Sequence, residues 1–450
     1  MNPATSSPWL AQLQHERPHF VLDHDASTDV VIVGAGIAGV ATAYELLKLT
    51  KHTVLLIDAG RIAHGATGRN AGQVVSYFER PLSDIAKEFG VEMAVKGQEL
   101  VESAWGQLED IIADCTLQTP FYPTLGYAGF STMEQVITAL EEKDMRAQMG
   151  LLDDPLMLKV GDDLLHRIPL HLLPYVMEVP HSTIMRVLET DDRSFIAAAV
   201  SKKGCVNSAQ LCEELVGWMT KAHPNRFAVA EHLPVETVIL AKDSATLKTA
   251  GPTITAKSVV LCTNGFENLT INNTAGPDID VAFHAAVHGC IGYMAGYIDE
   301  SKQGAAAVSY YQKGGYQDAY HYLTRRPYQH HQTQQSLICI GGPERQMPDR
   351  ASYDPSVPFP ADIEEELSRV LHSTYRDLPP AATRAFLWQG LMGYTPNGIR
   401  RIGFEPKNHT LLYNLGCNGV GILPSIYGGK RIAQLLAGIH LEKTMFDPVE

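Results

Sequence analysis

Asp29-Val-Val-Ile-Val33-Gly34-Ala35-Gly36-Ile37-Ala38-Gly39, continued by Val40-Ala-Thr-Ala-Tyr-Glu-Leu-Leu-Lys-Leu49 and Val54-Leu-Leu-Ile57-Asp58, is the stretch on which the fold turns. A short run of β-branched residues suits a strand buried on both faces in a parallel sheet. The Gly-x-Gly-x-x-Gly that follows opens a segment of helical character, and a second apolar strand closes on an acid. Strand, glycine turn, helix and strand make one βαβ unit. The first glycine permits the tight turn, the second lets a pyrophosphate approach the backbone, and the third lets helix and strand pack closely. The helix N-terminus offers amides and a positive dipole end to the phosphates. Asp58 at the end of the second strand can accept ribose hydroxyls and would repel a 2′-phosphate, which disfavours NADP.

The fingerprint does not separate FAD from NAD. The next segment, Gly65-Ala66-Thr67-Gly68-Arg69-Asn70-Ala71-Gly72-Gln73, is a second run of small residues. It would let the backbone approach an extended ligand again, beyond the adenosine half, as FAD requires. An NAD dehydrogenase stands as the alternative that a flavin spectrum would exclude.

Outward from this stretch, residues 1–27 are polar, carry Trp9, and are expected as an arm laid over a domain surface. Residues 84–116, 132–150 and 361–375 read as helices. Gly204–Met219 reads as a turn and an amphipathic helix, and Phe227–Leu240 and Thr246–Leu261 alternate like strands. Residues 281–342 look β-rich. Thr410–Tyr413, then Gly416 to Gly421, then a helix through 438 repeat the strand, glycine turn, helix order.

The bulk properties are those of an ordinary globular chain. Of 450 residues, 45% are hydrophobic and 19% charged. That length implies two domains. There is no run of about 18 apolar residues, so no membrane span is expected. The first twenty residues lack a basic stretch followed by an apolar one, so no secretory signal is expected. The seven cysteines (115, 205, 212, 262, 290, 339 and 417) form no Cys-x-x-Cys pair, which suggests reduced thiols and a cytoplasmic setting. The formal net charge of −14 disfavours nucleic-acid partners.

The order GAGIAG, acid, GATGRNAGQ resembles the D-amino-acid oxidase and glycine oxidase superfamily of flavoproteins, with GRNAGQ most similar to its γ-glutamylputrescine-oxidase-like branch. Gly204-Cys-Val-Asn207, Val259-Val-Leu-Cys-Thr263-Asn264-Gly265, and Trp388-Gln-Gly390 through Gly403 with Gly416-x-x-Gly419-x-Gly421 resemble further elements of that superfamily in the same order. The resemblance implies an α/β fold. A Rossmann-like FAD-binding domain (28–85, 186–268 and 385–450) would be interrupted by an α+β substrate domain (86–185 and 269–384) built on a large mixed or antiparallel sheet.

It also implies roles. Gly34, Ala35, Gly36, Ile37, Ala38, Gly39, Asp58, Ala59, Gly60 and Arg61 would hold the ADP half of FAD. Ala66, Thr67, Gly68, Arg69, Asn70, Ala71, Gly72 and Gln73 would approach the ribityl chain and ring. Val235 would meet the adenine, and Thr263, Asn264 and Gly265 would lie near the pyrophosphate. Gly393, Asn418, Gly419, Val420, Gly421 and Ile422 would close on the flavin, with Asn418 to Gly421 at its pyrimidine end. Some relatives attach flavin through a histidine where this chain has Arg69, and Cys417 does not match the linking cysteine of others, so non-covalent FAD is expected.

On the substrate side, Tyr322-Leu-Thr-Arg325-Arg326 resembles a strand whose arginine grips a carboxylate. Arg326, or Arg325 beside it, would do so here, against the alternative of a solvent-facing pair. A second family arginine is replaced by Met392, which favours an amine over a simple amino acid. Six tyrosines (310, 311, 316, 320, 322 and 328) would suit a cationic amine or would simply pack a sheet. His321, His330 and His331 show no metal-ligand spacing, and His284 or His288 is a candidate base. The expected activity is hydride removal from a carbon beside nitrogen, imine hydrolysis, and reoxidation by O2 or another acceptor. The alternatives are a dehydrogenase subunit passing electrons to a partner and a non-catalytic FAD-binding protein.

Overall fold

In a computed structural model the structure describes residues 6–13, 17–151, 153–161, 163–265, 268–300, 304–312, 320–330, 333–348, 353–376 and 382–449. Two large sheets organise them. The first has nine strands, and its centre is parallel: Ala26–Val33 lies between Thr253–Leu261 and Val54–Ile57, with Phe227–Ala230 beyond. Val31 stands opposite both Val259 and Leu55. The side chains split with period two, as a strand demands: Val31, Val33, Leu55 and Ile57 fill one core, while Val30, Ile32, Val54 and Leu56 fill another. Thr253–Leu261 changes partner along its length. Its first half pairs with Ala245–Thr249, and its second half runs parallel to Asn408–Leu415.

The helix Ile37–Leu49 buries every residue from Ile37 to Leu47, because the sheet covers one side and the last helix, Ile422–Leu436, the other. These helices meet at backbone distance: a Cβ on Gly429 would stand 2.8 Å from the Ala41 carbonyl carbon.

The second sheet has ten strands, mostly antiparallel: nine in the order Thr383–Tyr394, His288–Asp299, Thr333–Gln346, His321–His330, Ala306–Tyr311, Phe121–Phe130, Ala197–Val206, Leu156–Lys159, Val176–Val179, and a tenth, Gln73–Val75, that also pairs with Ala197–Val206. Ala306–Tyr311 with Phe121–Phe130, and Leu156–Lys159 with Val176–Val179, are parallel. The fold is therefore the expected α/β plus large mixed sheet. Sheet membership nonetheless crosses the expected segment limits. Ala197–Val206, from the segment expected in the nucleotide-binding half, pairs within the second sheet, and Thr270–Asn273 joins the first.

Local expectations need four corrections. The expected helix 84–116 is two helices, Leu82–Phe89 and Val91–Asp114, parted at Gly90 with φ 85°. Gly204 lies in a strand rather than a turn. The helix after it, Ser208–Ala222, starts at Asn207, whose side chain accepts from the Ala209 and Gln210 amides. The N-terminal arm does not lie over a surface. Trp9 is fully buried and Leu10 nearly so, and Trp9 Nε1 donates to the Asn70 carbonyl at 2.6 Å. Finally, the six tyrosines do not form one wall, as described below. No helix among the described residues is long and apolar enough to cross a membrane.

Candidate active site

The parallel strands of the first sheet all end on one side, at Val33, Ile57, Leu261 and Leu415. Crevices outside such strand ends are where open α/β sheets bind ligands. Here the loops that follow and the inner face of the second sheet enclose a cavity of about 2660 Å³. That is several times a pocket for one small ligand, about 300–1,000 Å³.

At one end the glycine turn does what its spacing implies. Gly34 has φ 103°, and a Cβ there would stand 2.6 Å from the Cys262 carbonyl oxygen. A Cβ on Gly39 would stand 1.9 Å from the Gly34 oxygen, and one on Gly36 would stand 2.9 Å from Thr67 Oγ1. Asp58 accepts from the amides of Ala35 (2.7 Å) and Gly60 (2.8 Å). Burial raises its pKa above the usual carboxylate range, and those two amides offset only part of the rise. The helix that begins at Ile37 has no side-chain cap, and Ile37 N donates to Thr67 Oγ1. The last helix, starting at Ile422, also lacks a side-chain cap and opens on the same cavity. Two helix N-termini, an acid at a strand end and three glycines that a methyl would obstruct fit an extended dinucleotide.

Of the residues expected at the cofactor, the cavity wall includes Gly34, Gly36, Ile37, Ala38, Asp58, Ala59, Gly60, Ala66, Thr67, Arg69, Asn70, Ala71, Gln73, Val235, Thr263, Asn264, Asn418, Gly419, Val420, Gly421 and Ile422. Ala35, Gly39, Arg61, Gly68, Gly72, Gly265 and Gly393 are not part of that wall. Several of these are packing glycines. A Cβ on Gly72 would meet the Trp9 ring at 2.8 Å, and one on Gly393 the Asn264 oxygen at 2.2 Å. The loop Thr67–Gly72 is held from several sides. Asn70 Nδ2 donates to Ser208 Oγ at 2.9 Å, Trp388 Nε1 to the Arg69 carbonyl at 3.1 Å, and Ser7 Oγ to the Gly68 carbonyl.

The substrate-side expectations fare differently. Tyr322 and Met392 line the cavity. Arg326 and Arg325 do not. Along the strand His321–His330, Tyr322, Thr324, Arg326 and Tyr328 share a face. By Arg326 the arm covers that face. Its guanidinium stacks 4.4 Å from the Trp9 ring and donates to Gln12 Oε1 at 2.8 Å. Arg325 points the other way, to Glu189 at 2.9 Å and to the Tyr375 hydroxyl. Both arginines are buried, so the solvent-facing alternative is also incorrect. Of the tyrosines, 311, 320 and 322 line the cavity. Tyr310 donates to the Leu188 carbonyl and Tyr328 to the Pro8 carbonyl, both away from it. Tyr316 and His331 lie outside the described residues, as does the His330 side chain. His284 bonds the Leu269 carbonyl at 3.0 Å and His321 bonds Glu366 at 3.1 Å, whereas His288 is exposed at the cavity.

The sequence reading passed over the most reactive part of the wall. Tyr77, Glu79, Lys203, Glu344 and Tyr394 join Tyr311, Tyr320 and Tyr322 there. Glu79 accepts from the Tyr320 hydroxyl through both oxygens, at 3.1 and 3.2 Å. Tyr320 stacks on Tyr311 with ring centres 4.5 Å apart. Glu344 lies 3.3 Å from Cys290 Sγ and 3.5 Å from the Tyr394 hydroxyl. Burial pushes Glu79 up to about 7 and Lys203 down to about 8. None of these belongs to a motif. The one local signal was Lys203 at an inward position of a strand whose neighbours Gly204 to Val206 are apolar.

A family model described as FAD dependent oxidoreductase matches residues 29–435. Gamma-glutamylputrescine oxidoreductase of Escherichia coli (strain K12) is 34% identical over 94 residues, which cover 21% of this chain and 22% of that protein. The chain thus matches about a fifth of the length of that relative. Among solved structures, glycine oxidase from Geobacillus kaustophilus superposes with a TM-score of 0.69 at 16% identity, over 94% of this chain and 98% of that one. L-proline dehydrogenase from P. horikoshii superposes with 0.67 at 17% identity, over 92% and 94%. At such identities the likeness to both is one of fold.

Proposed function

The chain belongs to the FAD-dependent oxidoreductase family, and we propose that it oxidises a C–N bond in a small amine in preference to a simple α-amino acid. The observation that carries the preference is the far wall of the cavity. It holds tyrosines and the two carboxylates Glu79 and Glu344 against one lysine, Lys203, while neither arginine expected to grip a carboxylate opens on it. An aromatic and acidic wall favours a cation.

FAD, when bound, supplies a two-electron acceptor for the hydride on the carbon beside nitrogen. The chain's residues bind and orient. Asp58 would accept ribose hydroxyls, the amides of Gly36 and Ala38 would meet phosphates, and those of Gly419, Gly421 and Ile422 would face an electron-rich ring edge. Tyr311 and Tyr320 stack and Tyr322 meets Tyr320 edge-on, aromatic surfaces against which an alkyl amine would lie. The oxidised product is an imine that hydrolyses to a carbonyl compound and an amine or ammonia, and O2 or another acceptor takes the electrons.

Anaerobic addition of alkylamines to the FAD-loaded protein should bleach the yellow absorbance, and glycine should bleach it at least tenfold more slowly. Equal rates, or bleaching by glycine alone, would reverse the preference. Hydrogen peroxide formed on readmitting air distinguishes O2 from a protein acceptor.

A further inference from the structure

Glu79 is the carboxylate of this wall for which binding and orientation give no use. It lies four residues beyond the strand Gln73–Val75, on the cavity wall, and its side chain is exposed there. Its two oxygens face the Tyr320 hydroxyl. Its stem lies against the loop before the last helix, since a Cβ on Gly419 would stand 2.7 Å from Glu79 Cγ and 3.1 Å from the Tyr394 hydroxyl. It therefore stands between the tyrosines and the loop that faces the expected flavin. Among the described residues no cation pairs with it. Lys203 Nζ is turned to Ser309 Oγ at 3.4 Å and lies 5.6 Å from the centre of the Tyr77 ring.

Lys203 acts on this carboxylate only at a distance, with no close ion pair, and an alkylammonium would bring a positive charge into contact with it. The ammonium must also lose a proton before hydride can leave the adjacent carbon, because the nitrogen lone pair drives that departure. We propose that Glu79, aimed by Tyr320, takes the proton from the substrate's ammonium group and so delivers the neutral amine, an inference that rests on the amine-oxidising reading above. In this step one N–H bond of R–CH2–NH3⁺ breaks and its electron pair stays on nitrogen. One O–H bond forms on Glu79. The products are R–CH2–NH2 and a neutral carboxylic acid, with no change of oxidation state.

The surroundings suit the task. Burial raises Glu79 to about 7, Tyr320 and Lys203 pull it down, and Glu344 pushes it up. Tyr77, Tyr311, Tyr322, Tyr394, Cys290 and Cys417 are further titratable groups on the facing elements. Desolvation lowers an ammonium pKa as it raises a carboxylate's, which narrows the gap the proton must cross.

The test is the anaerobic bleaching rate with butylamine across pH, in wild type, Glu79→Gln and Glu79→Asp, with flavin content and melting temperature recorded for each. The wild-type rate should fall on the acid side of a limb near about 7. In Glu79→Gln the rate at neutral pH should drop by about 10²–10⁴-fold, and high pH should restore it as the amine deprotonates in solution. Glu79→Asp should keep the wild-type limb. A Glu79→Gln protein with the wild-type limb and rate overturns the assignment, whereas failure of every amine to bleach wild type overturns the functional reading and the inference with it.

Calorimetric titration with tetramethylammonium, which has no proton to give, decides the matter even if Glu79→Gln does not load FAD. Below neutral pH the wild type should release close to one proton on binding, as Glu79 ionises to meet the cation, and the release should fade in alkali. No binding, or binding without that release, counts against Glu79.

Discussion

At the scale of single residues, Asp58 shows how one side chain joins fold and ligand. Its oxygens close the glycine turn through the Ala35 and Gly60 amides, and the same carboxylate is where ribose hydroxyls would donate. Asp58→Asn keeps the size but turns an NH2 toward one of these donors. We expect FAD to bind about 1–3 kcal/mol more weakly, roughly 5- to 150-fold in Kd, measured by flavin fluorescence on titration. Unchanged affinity would mean the adenosine lies elsewhere. The position of Asp58 was legible because it depends only on a strand end about 20 residues past the glycines. Arg326 was not. Strand alternation fixes its face, but which partner covers that face depends on Trp9, more than 300 positions away in the chain. Glu79 was invisible for the same reason, since its partner Tyr320 comes from a different sheet strand region 241 positions on.

At the scale of elements, the N-terminal arm matters most. Its short helix Pro8–Ala11 inserts Trp9 beneath the small-residue loop, where Trp9 bonds the Asn70 carbonyl, Ser7 bonds the Gly68 carbonyl and Gly72 leaves room for the indole ring. Trp9→Ala should destabilise the protein by about 3–5 kcal/mol, read from urea midpoints, and should speed FAD release. A loss below about 1 kcal/mol, in the range of an exposed side chain, would return the arm to the surface role its polar composition suggests. Composition misled here because a segment can be polar on average and still carry one large apolar anchor. The glycine-turn helix went the other way. Its burial on all sides follows from an apolar sequence without a polar face, and the structure shows the two layers that cover it.

At the scale of the whole molecule, the arm also ties to the edge of the first sheet through charge. Burial would raise the Glu231 pKa, but hydrogen bonds from Arg17 and from the Ile62 and Phe20 amides outweigh it and hold it at about 2. Since the folded value lies below the unfolded one of 4.5, its contribution to stability is complete above that value and is lost as the pH falls toward about 2. Glu231→Gln should lower stability at neutral pH and flatten its decline across that acid window, measured by denaturant midpoints at each pH. An unaltered slope would show that other carboxylates govern acid unfolding.

The sequence by itself determined the βαβ unit, the order of the nucleotide-facing loops and the family, because these rest on strand and helix periodicity and on glycines whose need is local. The tertiary structure decided which residues face the substrate. That wall is assembled from strands of the second sheet and the segment after the flavin loop, so its tyrosines and carboxylates become neighbours only when distant strands pair. Their altered pKa values arise from burial, which no local pattern encodes.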